Sequence, residues 1–373
     1  MIIGIDGNEA NVQNRVGIGQ FAFGVISFLA KIDQKNSYVI YLKNPPIEDL
    51  PKEKENWRYL IFGPKKYWTQ IALPIKLFTQ KVKPDIFYSP SHYSPRFSPI
   101  PTVISLMDLW HHRHPEQFTK KDLYQLTAWE KYSVRKASHV VTISEFSKKE
   151  ILNIYKLSEN KVTVAYPGYT KSEIRSTKSE TNSKILEVKN KYKIKGDYFI
   201  YLGTLQPKKN LEGLIKAFGL LNSDLSLVIA GKKGWLFKRI FNLVKELKLE
   251  DKVVFTDFID EEDKPYLIAG ARAFVFPSFY EGFGIPVLEA MSLGVPVITS
   301  NQASLPEVGG EAAIYADPKQ FDQITQAMKK VLELNQAEKN EIIKRGYKQC
   351  EKFSWDKCAS RILTVLEENV KKN

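Results

Sequence analysis

The chain has 373 residues, 43% of them hydrophobic, too many for one ordinary core and suited to two domains of roughly 150–200 residues each. Its formal net charge of +13 favours anionic partners (phosphates, nucleic acid or an anionic membrane face) or a lysine-rich solubilising surface. Cys350 and Cys358 make neither a disulfide framework nor a metal site, no apolar run approaches 18 residues, and the start MIIGIDGNEA is not built like a signal peptide, so a reducing, cytoplasmic setting is expected.

Residues 1–7 (MIIGIDG) read as a buried strand, 14–20 (NRVGIGQ) as a glycine loop and 21–32 as an apolar helix. Strands follow at 37–43, 58–63 and 84–90, with a helix expected over 68–82. The runs 102–110 (TVISLMDLW) and 139–146 (HVVTISEF) are continuous apolar strands that run into polar residues, and 161–169 closes the first half. Such strands, separated by helical stretches, mark a parallel sheet covered on both faces. From 171 to 195 the chain turns polar and apolar-poor and reads as a linker or exposed loop. The pattern then restarts, with strands at 198–205, 225–231, 252–259, 273–278, 295–300 and 312–317. Helices are expected at 210–221, 239–249, 264–271, 284–294 and from 324 onward. The fold class is therefore α/β, with two doubly wound domains at 1–170 and 196–354 and any ligand in the cleft at their strand carboxyl ends. The last helix, 355–373, is expected to pack back on the first domain.

The stretch FYEGFGIPVLEAMSLGVPVITS, 279–300, places Glu281 and Glu289 eight positions apart. Between them lie a Gly282-Phe283-Gly284 turn and a helix with Pro286 in its first turn and Gly294 at its stop. The amino terminus of that helix favours an anion. Glu289 sits one turn inside among Val287, Leu288, Ala290 and Met291, so its carboxylate needs hydrogen bonds, from ligand hydroxyls or from a lysine. Lys208 and Lys209 follow the strand at 198–205 and suit a diphosphate held without metal, or else form a solvated loop pair. Gly17 and Gly19 make a G-x-G after the first strand, a weak signal that the position strengthens. Asp108 ends an apolar run, and Ser144 caps the next helix or touches a ligand. His111, His112 and His114 lack a helical pair backed by a glutamate and read as ordinary loop histidines rather than metal ligands. The chain has no G-x-S-x-G elbow, no Walker lysine motif and no recognition module for nucleic acid.

The region FYEGFGIPVLEAMSLGVPVITSNQASLPEVGGEAAIYADP resembles the signature of glycosyltransferase family 4. The likeness extends through YLGTLQPKKNLEGLIKAF, LVIAGKKGW and SHVVTISEFSKKEI to the N-terminal IGIDGNEANVQNRVGIGQF, and so covers nearly the whole chain. It implies a GT-B fold of two Rossmann-like domains and a retaining transferase that takes a nucleotide diphosphate sugar as donor, with no metal and no cofactor. Glu289 would accept hydrogen bonds from the ribose, and Glu281 would sit beside the transferred sugar. Gly282, Phe283 and Gly284 would offer backbone N–H groups to sugar and phosphate, with Ile285 and Leu288 beside them in the donor site. Lys209 would bind the diphosphate with Lys208 as second cation, because Thr204 stands after Gly203 where many members have arginine. Gly17 and Gly19 would close over the phosphates, Ser144 would line the cleft, and Gly231 would lie near the base. Asp108 keeps its place, but Met107 stands where many members carry a histidine that touches the donor sugar or the acceptor.

The resemblance implies hexosyl transfer, mannosyl-like, to a glycan or lipid-linked saccharide in cell-surface polysaccharide or glycolipid synthesis. A non-catalytic, degenerate binder of sugar nucleotide or glycan is the alternative that Met107 keeps open. The stretch FGPKKYWTQIALPIKLFTQKVKP mixes lysines with Tyr67, Trp68, Ile71, Leu73, Leu77 and Phe78. It reads as a peripheral contact with an anionic membrane or as a helix packed into the first domain.

Overall fold

The apolar runs of the first half form seven parallel strands in the order β3-β2-β1-β4-β5-β6-β7. In chain order the elements are β1 (Ile2–Asp6), α1 (Ile18–Ile32), β2 (Ser37–Leu42), β3 (Trp57–Ile61), α2 (Ala72–Thr79) and β4 (Ile86–Ser89). Then come β5 (Thr102–Ser105), α3 (Trp110–Arg113), α4 (Lys120–Lys136), β6 (His139–Thr142), α5 (Glu145–Tyr155) and β7 (Val162–Val164). Every residue of β4, β5 and β6 is buried, as a sheet covered on both faces requires. One core gathers Ile104, Leu106, Val134, Val140 and Ile151, and another gathers Tyr41, Trp68, Leu73, Leu77 and Phe87. The structure is a computed structural model and describes residues 1–170 and 178–370.

The second half repeats the plan with six parallel strands in the order β10-β9-β8-β11-β12-β13. Its elements are α6 (Lys178–Lys191), β8 (Tyr198–Leu202), α7 (Leu211–Leu221), β9 (Ser226–Ala230), α8 (Lys238–Glu246), β10 (Val253–Asp257) and α9 (Lys264–Ala269). They continue as β11 (Ala273–Phe276), α10 (Ile285–Ser292), β12 (Val297–Ser300), α11 (Leu305–Gly309), β13 (Ala313–Ala316), α12 (Phe321–Glu333) and α13 (Gln336–Cys350). The final helix, α14 (Trp355–Glu368), counts with the first half. The chain thus divides into Met1–Gly168 with Phe353–Asn373, and Tyr169–Lys352. Helix α14 packs on α1, where a Cβ on Gly24 would lie 2.6 Å from the Trp355 ring.

Several expectations change, among them the strand of 139–146, which stops at Thr142 before α5 begins at Glu145. The segment 171–195, expected as a linker, holds α6, although 171–177 lie outside the described residues. Its polar composition hid a helix that packs on α9, buries Val188 and brings the Lys191 ammonium to 2.7 Å from Asp260 and 2.6 Å from Asp263, just ahead of α9. Helix α2 spans 72–79 rather than 68–82, because Pro74 lacks an N–H and fits only a first turn. Helix α1 begins at Ile18, so Gly17 (φ 51°) is its N-cap and Gly19 lies in its first turn rather than in a loop. The strand expected over 102–110 stops at Ser105, because Asp108 Oδ1 accepts the Trp110 N–H at 2.7 Å and turns the chain into α3. Helix α4 has no counterpart in the periodicity, since polar residues dominate it; Thr119 caps it by accepting the Asp122 N–H. Among the described residues no helix is long and apolar enough to cross a membrane.

His139, at the start of β6, is buried and pairs with the Thr163 hydroxyl at 2.9 Å. Burial, and then the charges of Lys161, Arg361 and Lys148, lower its imidazole from 6.5 to about 4. Between those values the unfolded chain holds the extra proton, so stability is lost as pH falls through that window. Urea unfolding followed from pH 7 to 4 will show this loss, and His139→Gln will remove a part of it on the order of 2 kcal/mol.

Candidate functional site

In a doubly wound sheet the strand order reverses at a switch point, and a crevice opens there at the carboxyl ends of the strands. In the second unit that point lies between β8 and β11, which pair directly. The loop leaving β8 carries Gly203, Thr204, Lys208 and Lys209, and the loop leaving β11 carries Glu281, Gly282, Phe283 and Gly284. The two loops are tied together by the Phe279 N–H, which donates to the Lys208 carbonyl at 2.8 Å. Asn210, in the left-handed region at φ 56°, donates its amide to Pro277 O at 3.1 Å and Pro318 O at 2.6 Å. It therefore pins the end of the β8 loop to the exits of β11 and β13.

Lys209 Nζ lies 2.5 Å from Glu281 Oε1, with the two side chains 12% and 9% exposed. The ammonium also stands over the Phe276 ring, 5.1 Å from its centroid. Burial, and then the negative charge of Glu281, push the Tyr201 phenol well above its ordinary range. Two charges this far out of water hold only while both are present. An ammonium has three donors, so Lys209 can keep Glu281 and still bind an anion.

The turn ahead of α10 is fixed from below. Ser304 Oγ lies within hydrogen-bond distance of two carbonyls, Glu281 O at 2.9 Å and Phe283 O at 2.8 Å. Gly284, the N-cap of α10, has φ 119°, and a Cβ there would lie 2.9 Å from Leu305 Cδ2, so only glycine fits. Ile285 opens the helix, half-buried, and Leu288 is fully buried in it. Glu289, buried one turn inside, receives the Lys264 ammonium at 2.7 Å. Of the two partners open to Glu289 in the sequence, the structure thus supplies the lysine. Gly231 closes the group at the exit of β9: a Cβ on it would lie 2.1 Å from Gly203 O, so the two backbones touch.

The second unit therefore gathers Lys208, Lys209, Thr204, Gly231, Glu281, Gly282, Phe283, Gly284, Ile285, Leu288 and Glu289 around adjacent strand ends. The remaining candidates lie in the first unit. Gly17 caps α1, and Asp108 turns the chain into α3. Ser144 caps α5, its hydroxyl oxygen accepting the Ser147 N–H at 3.0 Å. His111 and His112 meet the buried Glu130 of α4. Burial works to raise the Glu130 carboxyl, but the imidazoles of His111 and His112 outweigh it and bring it down to about 2. Lys264, Ser304 and Glu130 were missed in the sequence. Each lies far along the chain from the group it serves, and no spacing rule joins them.

Residues 183–349 match the family model described as Glycosyl transferases group 1, and residues 33–172 match Glycosyltransferase Family 4. The chain belongs to the glycosyltransferases. This glycosyltransferase is 33% identical over 263 residues to the O-antigen chain mannosyltransferase B of Escherichia coli, a stretch covering 69% of the chain and 66% of that relative. It is 27% identical over 297 residues to the O-antigen chain mannosyltransferase RfbU of Salmonella typhimurium, covering 79% of the chain and 76% of that protein. Among solved structures it is similar to Anabaena Alr3699/HepE in complex with UDP and glucose, with TM-score 0.75, 17% identity and coverage of 98% and 99% of the two chains. It is also similar to WaaG, a glycosyltransferase involved in lipopolysaccharide biosynthesis, with TM-score 0.72, 13% identity and the same coverage. The glycosyltransferase has the two-unit α/β architecture of the GT-B class.

Ser304→Ala will remove the one hydroxyl donor that the buried Glu281 and Phe283 carbonyls share. We expect a loss of about 1–3 kcal/mol in unfolding free energy, read by chemical denaturation.

Proposed function

We propose that the enzyme transfers a hexosyl group, mannosyl by preference, from a nucleotide diphosphate sugar to a glycan or lipid-linked saccharide, with retention of configuration, in cell-surface polysaccharide synthesis. The observation that carries the reading is the Lys209–Glu281 pair at the β8/β11 switch point, beside the glycine turn that opens α10. The O-antigen mannosyltransferases among its relatives support the choice of sugar and pathway.

The chemistry asks for two opposite charges. As the bond between sugar and diphosphate lengthens, negative charge grows on the phosphates and positive charge on the sugar ring. Lys209, joined by Lys208 from the same loop and the amino terminus of α10, meets the first demand without a metal. Glu281, held against Lys209, meets the second and binds sugar hydroxyls. Glu289 accepts the ribose hydroxyls while it keeps Lys264, since a carboxylate offers about four lone-pair sites. The leaving diphosphate stays on the reacting face and takes the acceptor's proton.

Two measurements test this. In a thermal-shift panel of nucleotide sugars, one donor raises the melting temperature, as about 2.7 kcal/mol of added stability at 100 times its Kd requires. Lys209→Ala and Glu281→Ala each slow turnover about ten- to thousand-fold. Full activity in both variants refutes the assignment. A sugar-nucleotide binder without turnover is the second reading, favoured by the buried Met107 at the position where many members carry a histidine; a donor shift with neither transfer nor hydrolysis selects it.

The acceptor side of the proposal rests on α2. Trp68, Leu73 and Leu77 face the core, which leaves Ile71, Ile75, Phe78 and Val82 exposed at helix-like spacing beside Tyr67. Lys65, Lys66, Lys81 and Lys83 are exposed around this stripe. Apolar residues ringed by lysines suit an anionic lipid surface. Ile75→Ser with Phe78→Ser will cut binding to phosphatidylglycerol vesicles more than about tenfold. Unchanged flotation of the double variant removes the membrane from the proposal.

A further inference from the structure

Most of the residues assigned to the donor lie in the second half of the chain, and a cluster of another kind sits in the first unit. Nε2 of His111 lies 3.3 Å from Glu130 Oε1, and Nε2 of His112 lies 3.2 Å from the same oxygen. One ligand atom from each of the three residues falls within 4.8 Å of the others, and among the described residues this is the one such group. Glu130 is fully buried and His111 nearly so. The hydroxyl of Tyr155 donates to Glu130 Oε1 and lies 3.0 Å from His112 Nε2. Two polar atoms remain without a hydrogen bond in this buried space, His111 Nε2 and Glu130 Oε2.

A carboxylate this deep needs a cation. The groups within ion-pair distance of Glu130 are the two imidazoles, and both present Nε2, the nitrogen that ligates metals most often alongside Nδ1. Ligands about 2.0–2.2 Å from a tetrahedral zinc ion stand about 3.3 Å apart, and the two imidazole spacings to Glu130 Oε1, 3.3 and 3.2 Å, are of that size, with all three ligand atoms within 4.8 Å of one another. Two imidazoles with one carboxylate select zinc over magnesium or calcium, which take oxygen donors. Tyr155 or a water supplies the fourth position, and the His112 side chain, 24% exposed, provides a route of entry.

We propose that His111, His112 and Glu130 bind a zinc ion that clamps α3 onto α4. Its role is positional. Helix α3 begins two residues after Asp108 and is turned by that carboxylate, so the clamp fixes the segment that leaves β5. The Arg113 guanidinium adds a second tie, from α3 to Glu150 of α5, at 3.0 and 2.6 Å. The competing account is a hydrogen-bonded network with a proton on one imidazole.

The test uses the full chain, stripped with a chelator and dialysed against micromolar zinc. We expect one zinc per chain by elemental analysis and a fall in melting temperature when the chelator is added. Cobalt(II) in its place will give the intense visible bands of a tetrahedral site. Glu130→Gln and the double variant His111→Asn with His112→Asn will lose both the metal and the bands. Zinc far below one per chain, a melting temperature indifferent to chelator and cobalt bands no stronger than those of the free ion overturn the proposal, whatever the variants do. The donor-induced thermal shift is read separately, so failure here leaves the transferase reading standing.

Discussion

A lysine and a glutamate 2.5 Å apart, both nearly out of water, set the terms for the second unit. Such a pair survives only if its surroundings hold both charges in place, because either one alone would be a buried, uncompensated ion. The frame around it answers that demand. Asn210 anchors the lysine's loop to two other strand exits, Ser304 holds the carbonyls of the glutamate's turn, and Phe279 joins the two loops by their backbones. Parallel strands make this possible, since they deliver every loop to the same edge of the sheet.

Glu289 shows the same physics one helical turn away. A carboxylate on the buried face of an apolar helix is tolerated because Lys264, at the start of α9, reaches it. Both glutamates of the spaced pair are thus already paired with lysines from other elements. A polar ligand that enters meets organised charges rather than loose ones, which lowers the ordering cost of binding. The separation of the two pairs along α10 gives the site a length as well as a polarity.

The class of the fold was legible because its strands are short, continuous apolar runs, such as AFVFPS and VPVITS, broken by glycine and proline. The structure of the stretch from Glu281 to Ser300 was legible for a related reason: turn, helix and strand there each carry their own local signals. What escaped notice was polar. Helices α4 and α6 bury few apolar residues, and capping by Thr119 and ion pairing through Lys191 hold them instead. Glu130 and Lys264 were invisible as partners because their roles arise from contacts between elements, 18 and 25 positions along the chain from His112 and Glu289. The early end of the β5 strand came from one side-chain hydrogen bond, at Asp108, which no periodicity registers.

The placement of α14 on α1 has a consequence for synthesis. The groove along α1 at Gly24 is filled by Trp355, a residue made only after the entire second unit. A nascent chain therefore carries an incomplete first unit, with the apolar face of α1 uncovered, through the making of more than 180 further residues. The second unit, continuous in sequence, can fold as it emerges. The unit that begins first is the one that finishes last, and on the ribosome its exposed groove is where a chaperone has the longest opportunity to act.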